Sequence, residues 1–287
     1  MSPDPLRSAR RGYRRAEAWR AARAARLFTT RLRHDPGAPE LLLSPHLDDA
    51  VLDCWDLLSS ERELNVVNVF AGVPTPGSLA IWDEITGADD SAGRVRSRVE
   101  EDARAHACAK RTPHNLSLLD AQYRAGRLSP SLGEIDRALA ADVEGASHVY
   151  VAAGIGGHAD HLLARLYGRM LLRAGFPVTL YAELPYCVAH GWPAWVDGRE
   201  PERYRNVDAH WMSFLDEVPE LPPLRSAEVV RLDAPGGQAK LAAMRCYETQ
   251  LPCLSYGGRG LLLDPAIHSF EVRWALVAPD STGLPAA

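Results

Sequence analysis

The stretch ELLLSPHLDDA, from Glu40 to Ala50, joins a buried strand to a polar turn with nothing between them. Leu41, Leu42 and Leu43 form a continuous apolar run too short for a helix. They lack the alternation of a half-solvated strand, so they read as a strand covered on both faces. Ser44, Pro45, His46, Leu47, Asp48 and Asp49 follow directly, and a helical pattern begins near residue 50 and continues to about 60. The same grammar repeats outward. Val66–Phe70, Leu116–Leu119, Val149–Ala153 and Val178–Tyr181 read as strands, with helical patterns at 92–110, 131–144 and 160–174 between them. Apolar strands alternating with helices predict an α/β domain: a mostly parallel sheet covered by helices on both faces. Ligands of such sheets sit at the carboxyl ends of the strands, where strand order reverses. Past Tyr181 the pattern loosens. Residues 185–225, rich in Pro and Trp, are expected to run as a long excursion over the sheet edge, followed by a helix at 237–250 and a terminal strand at His268–Val277.

The chain has 287 residues, 46% hydrophobic and 24% charged, which excludes disorder, collagen and a disulfide scaffold. No run of about 18 apolar residues suggests a membrane span. The net charge of −5 averages two unlike parts. Residues 1–33 hold ten arginines against Asp4 and Glu17, a balance of +8, which leaves −13 on the remainder. Residues 1–36 are therefore expected as a basic helical extension and residues 37–287 as the catalytic-type domain. Arg10 and Arg11 resemble a twin-arginine export signal, but Arg20, Arg23 and Arg26 interrupt the apolar stretch such a signal needs. The apolar stripe of Trp19, Leu27, Phe28 and Leu32 is too thin to hold a membrane alone. An acidic body repels phosphates, so nucleic acid is not the expected partner. The extension is expected to dock on that body or on a subunit neighbour in a homo-oligomer. Five cysteines, Cys54, Cys108, Cys187, Cys246 and Cys253, form no CxxC pair and read as reduced, mostly buried thiols of a cytoplasmic protein.

The polar turn after the first strand carries chemistry. A helix N-cap accounts for one Asp. It does not account for His46-x-Asp48-Asp49, where two adjacent anions repel and call for a shared cation; imidazole with carboxylate is a common zinc pairing. The fourth strand supplies a matching half, HVYVAAGIGGHADH, in which Gly154, Gly156 and Gly157 permit close backbone approach. His158 and His161 stand at i and i+3 with Asp160 between them, so their imidazoles can face one side.

PHLDD (45–49) with GGHADH (156–161) resembles the LmbE-like, or PIG-L, zinc-dependent N-deacetylases. Weaker motifs extend the likeness over about residues 40–275: Arg98, Glu101, Asp102 and Ala105; Asp120, Tyr123 and Arg124; Glu183, Pro185 and Tyr186; Lys240, Ala243, Tyr247 and Gln250. Ala50, Asp53 and Trp55 depart from the Glu and small glycines that many members carry there, which bears on helix packing more than on ligation. The resemblance implies a Rossmann-like fold and a Zn²⁺ ion, with Fe²⁺ as the alternative, on His46, Asp49 and His161. It implies Asp48 as general base, His158 as oxyanion stabiliser or acid, and Asp160 orienting an imidazole. For substrate it implies Arg98, Asp120 and Arg124 against sugar hydroxyls or a phosphate, with salt bridges between helix and loop as the alternative, and Glu183 and Tyr186 near the mouth of the site. Trp82, Trp192 and Trp195 are expected either to stack on a sugar or aglycone or to lie in the core. The implied reaction is hydrolysis of an N-acyl, above all N-acetyl, amide on an amino sugar or glycoside, in bacterial specialised metabolism or thiol-cofactor assembly. Its partner is thus a small N-acylated amine. An amidase for another acyl group or a non-sugar amine, and a non-catalytic sugar-binding protein, are the competing readings.

Overall fold

A computed structural model describes residues 33–124, 129–200, 204–254 and 260–278. The basic extension expected over 1–36 lies, apart from its last four residues, outside the described residues. Among the described residues seven strands form one sheet: β1 (Glu40–Ser44), β2 (Leu64–Asn68), β3 (His114–Asn115), β4 (Val149–Ala152), β5 (Val178–Tyr181), β6 (Glu228–Arg231) and β7 (Phe270–Ala275). Their order is β3-β2-β1-β4-β5-β7-β6. The first five run parallel, β7 is antiparallel to β5, and β6 is antiparallel to β7. Successive strand residues point to opposite faces, and Leu41, Leu42 and Leu43 are all fully buried. Both faces of β1 are therefore covered, as the uninterrupted leucine run requires.

The principal helices are α1 (Asp49–Asp53), α2 (Trp55–Ser59), α3 (Ser91–Ala107), α4 (Leu132–Val143), α5 (Ala159–Arg173), α6 (Val207–Leu215) and α7 (Ala234–Met244). Local chemistry starts them: Asp90 accepts from Gly93 N at 2.8 Å to cap α3, and Ser131 with Glu134 forms a reciprocal capping box on α4. No helix among the described residues is long and apolar enough to cross a membrane.

Four elements differ from the sequence reading. The single helix expected over 50–60 breaks at Cys54, because the carboxylate of Glu271 on β7 accepts from Trp55 N (2.8 Å) and Asp56 N (3.1 Å) and caps a second helix there. Strand β3 lies two residues before the apolar run Leu116–Leu119, which leaves the sheet while Leu116 N still donates to Asn68 O at 2.9 Å. Strand β6 and helix α6 fall where the excursion was expected to be irregular or shortly after it. The edge strand β6 offers only Val229 and Val230 as apolar signal.

Chain order runs one way from β1 to β2 and β3, then jumps to β4 and β5 on the other side. The crevice of such a sheet opens above the carboxyl ends of β1 and β4. The PHLDD turn leaves β1 there, and the GGHADH turn leaves β4.

Candidate metal centre and active site

The turn after β1 is closed by its own side chains. Ser44 Oγ donates to His46 O at 2.6 Å and accepts from Ala50 N at 3.0 Å, while His46 N donates to Asp49 Oδ2 at 2.8 Å. Asp48 stands at the N-cap of α1 but makes no side-chain cap bond, so capping does not explain its carboxylate. After β4 the chain turns through left-handed glycines. At Gly156 (φ 90°) a Cβ would lie 2.7 Å from Tyr186 Cβ, so only glycine lets the turn press against that ring. His158 then caps α5, its Nδ1 accepting from Asp160 N at 3.3 Å, and His161 enters the first turn.

These two turns bring three donor atoms into a nearly equilateral triangle. His46 Nδ1 lies 3.3 Å from Asp49 Oδ2, His161 Nε2 lies 3.3 Å from the same oxygen, and the two nitrogens are 3.2 Å apart. Zinc bonds of about 2.0–2.1 Å in a tetrahedron set ligand–ligand edges of about 3.3 Å, so the triangle has the size of one tetrahedral face. The remaining ring nitrogens face carboxylates. His46 Nε2 lies 3.2 Å from Asp160 Oδ2, and His161 Nδ1 lies 3.2 Å from Glu183 Oε1. Donation to those oxygens fixes both tautomers and turns both lone pairs into the triangle. Three electron-rich atoms at such spacing need a positive charge among them. Burial opposes charging either imidazole, yet Asp120, Asp160 and Asp49 hold His46 well above its ordinary range, and Asp49 with Glu183 holds His161 up at about 9. A bound cation meets the same demand, and the donor set fits zinc. His46, His158 and His161 form a second grouping of nitrogens. His158 Nδ1 is already bonded to Asp160 N, so the compact triangle is the better ligand set.

The supporting carboxylates are themselves held. Asp160 accepts from Arg124 through Oδ1 and from Ala121 N at 2.8 Å through Oδ2. Glu183 accepts from Gly154 N through Oε1 and from Ile155 N at 3.2 Å through Oε2. Glu183, expected at the mouth of the site, is fully buried beneath His161; an acceptor for three donors, it is removed from any surface that meets substrate. Arg124 is also buried, over the Phe70 ring at 5.6 Å, its guanidinium engaged by Asp160 and Leu119 O. Arg98 makes the helix-to-loop pairing, 2.9 Å from Asp83 and 3.0 Å from Tyr123 Oη. Asp120 caps the turn Ala121–Tyr123 and reaches 4.0 Å from His46 Nε2. Tyr186 lies 5.5 Å from His161, ring to ring, and is partly exposed. Trp192 and Trp195 pack on Trp211, whereas Trp82 is exposed.

Asp48 is buried beside this centre. Burial first, and the charge of Asp49 second, push its carboxyl up to about 7, against the pull of His46 and Arg98. Asp102 adds to the rise, and it is fixed by Asn68 Nδ2 at 2.7 Å and Tyr247 Oη at 2.8 Å. The sequence reading missed Asn68; a lone amide ending an apolar strand was its only signal. His158, T-shaped against His46 at 4.7 Å, is pushed down to about 4 by burial and by the two neighbouring imidazoles.

No family model matches the chain. It is 28% identical over 191 residues to the 2'-N-acetylparomamine deacetylase of Niallia circulans, covering 52% of this chain and 68% of the relative. A deacetylase of the teicoplanin biosynthetic pathway superposes with a TM-score of 0.62 at 25% identity, over 85% of this chain and all of that one. The deacetylase of the A40926 pseudoaglycone shares the fold, with a TM-score of 0.60 at 24% identity over 84% and 97% of the two chains. Sequence and fold thus point the same way as the motifs.

Proposed function

We propose that this chain, a relative of N-deacetylases in sequence and fold, is a zinc-dependent hydrolase that removes an N-acyl group, above all N-acetyl, from an amino sugar or its glycoside. The observation that carries the reading is the triangle of His46 Nδ1, Asp49 Oδ2 and His161 Nε2, with the buried carboxylate of Asp48, which caps no helix, beside it. His46, Asp49 and His161 would hold the ion. When bound, zinc supplies Lewis acidity toward an amide carbonyl and acidifies water at neutral pH.

The chain's own groups do the rest. Asp48, poised near neutrality, takes a proton from the attacking water and returns it to the departing nitrogen, so one carboxylate serves both halves of the reaction. His158 accepts from Asp160 N through Nδ1, which leaves its proton on Nε2. A neutral imidazole in that tautomer donates a hydrogen bond to the developing oxyanion and is a weak acid, so the stabilising role fits it better than the acid role. Asp160, Arg124 and Glu183 hold the two ligand imidazoles in register. Asp120, 4.0 Å from His46, would accept from a sugar hydroxyl. An amino-sugar substrate is supported by the paromamine relative, and a place in specialised metabolism by the two antibiotic-pathway folds. Free thiols at Cys54, Cys108, Cys187 and Cys246 support a cytoplasmic setting.

The test is amine release from N-acetylglucosamine glycosides by the zinc-loaded chain, with N-acetyl amino acids alongside. Release from the sugars, lost to a chelator and restored by zinc, is expected. Release from amino acids alone would overturn the sugar assignment. Protein that takes up no stoichiometric divalent metal would overturn the metal centre and favour a binding role.

A further inference from the structure

Five of the nine large hydrophobic side chains that stand exposed among the described residues fall within residues 73–85. They are Val73 and Leu79 on the loop after β2, and Ile81 (67% exposed), Trp82 (53%) and Ile85 (62%) on the short helix Ile81–Ile85. Apolar side chains scattered singly need no explanation, but a group in one segment marks a surface that something covers. The segment is firmly built: Ala80 N donates to Ser91 Oγ, Ser91 N to Ser78 O, and Gly77 N to Asp90, each at 2.8 Å. The helix is anchored by Asp83, its one fully buried residue, 2.9 Å from Arg98.

The patch adjoins the proposed active site. Phe70, whose ring is 6.4 Å from that of His46, precedes Val73 by three residues, a reach of at most about 11 Å. Gly72 N donates to Leu118 O at 2.8 Å, which seats this loop against the segment leading to Asp120. Arg98 joins the two regions, bonded to Asp83 on one side and near enough to Asp48 on the other to act on its charge. Contacts thus lead outward from the ligand His46 to Asp120 at 4.0 Å, through the turn Ala121–Tyr123 to Arg98 on Tyr123 Oη, and from Arg98 to Asp83 on the helix that carries Ile81, Trp82 and Ile85.

Resting on the deacetylase reading, we propose that this patch holds the apolar aglycone of an N-acylated amino-sugar glycoside. The order of these contacts matches the order of such a molecule, with amide at the ligands, sugar ring at Asp120, Tyr123 and Arg98, and aglycone at Trp82, Ile81 and Ile85. A long acyl chain does not match, because it would meet those polar groups immediately beyond its carbonyl.

The experiment compares methyl and octyl glycosides of N-acetylglucosamine below the micelle concentration, on the full zinc-loaded chain and on the double variant Trp82→Ser, Ile85→Ser. Wild type is expected to favour octyl over methyl in kcat/KM by about tenfold, a partial burial of the alkyl chain, with the gain in KM. The variant should bring that ratio close to one while keeping its melting temperature, since both side chains are exposed. In parallel, calorimetric binding of the octyl and methyl glycosides of glucosamine reads the patch without turnover. Equal binding of the two by wild type, or a preference that survives in the variant, would overturn the proposal, as would a gain from N-octanoyl but not from an octyl aglycone. A variant that only dissociates an oligomer would make the patch a subunit contact and overturn it as well. Preferential octyl binding without amine release from any glycoside would sink the deacetylase reading and leave the patch standing.

Discussion

Replacing Glu183 by Gln tests the assembly at its most constrained carboxylate. Two oxygens there accept from three donors: Oε1 from Gly154 N–H and His161 Nδ1–H, and Oε2 from Ile155 N–H. A glutamine amide has one acceptor oxygen and one donor nitrogen. Its better orientation keeps the oxygen on Gly154 and His161 and sets its NH₂ against Ile155 N–H, leaving two donors opposed in a fully buried site. That costs about 1–3 kcal/mol in stability, the penalty for an unsatisfied buried polar group. At about 2–4 °C per kcal/mol for a chain of this size, the melting temperature should fall by roughly 2–12 °C. The charge behind His161 is lost as well, which weakens the imidazole as a ligand, so zinc affinity should drop about 10–100-fold. The assay is a thermal melt with a competitive chelator titration on the same preparation. Zinc affinity within a factor of three of wild type would show that Glu183 does not orient His161 as a ligand, even with a lowered melting temperature.

Other changes separate the remaining roles. Asp48→Asn should keep stoichiometric zinc while kcat falls about 10²–10⁴-fold, the range for loss of a general base; near-normal turnover would remove Asp48 from proton transfer. In His158→Ala, metal content should be unchanged and kcat should drop about 10²–10³-fold, as for one lost oxyanion donor, and an unaltered kcat would make His158 only a helix cap. Lys240 is fully buried 2.8 Å from Glu271, so Lys240→Met should destabilise the fold by about 3–5 kcal/mol in urea titration through the charge left unpaired on Glu271. Glu220 accepts from Arg169 (2.9 Å) and Arg173 (2.9 Å), which outweigh its burial and hold its carboxyl below the usual range. Its folded value lies below its unfolded one, so its contribution is present above about pH 4.3 and is lost as pH falls through the folded value. Unfolding titrations at pH 7 and pH 4 should therefore show a larger loss for wild type than for Glu220→Gln, and equal losses would contradict the assignment.

Much of this architecture is written locally. The leucine run Leu41–Leu43 is a doubly covered strand because nothing polar interrupts it, and the turns after β1 and β4 carry their imidazoles and carboxylates in plain view. What failed to read locally has physical causes. Strand β6 is short and at the edge, with outward side chains that leave little pattern. The break at Cys54 comes from Glu271, some 216 residues away, whose carboxylate caps a helix that the local sequence would have continued. Glu183 carries no mark of burial in the run YAELPY, since a carboxylate after a strand reads the same whether it meets solvent or three buried donors. Trp82, Trp192 and Trp195 are likewise indistinguishable by type; only packing puts Trp192 in the core, lays Trp195 half-buried against it and leaves Trp82 outside.

The sequence by itself determined the sheet-and-helix grammar, the two turns that carry the ligands, and the identity of the groups able to bind a cation. Those are properties of short segments, set by hydrophobic runs, glycines and residue type. Tertiary structure alone decided that β1 and β4 are neighbours, and so that His46, Asp49 and His161 close to 3.2–3.3 Å. It also decided which carboxylates stand behind the imidazoles, and which tryptophan stays exposed. Strand order and burial depend on contacts between residues far apart in the chain, and no local pattern carries them.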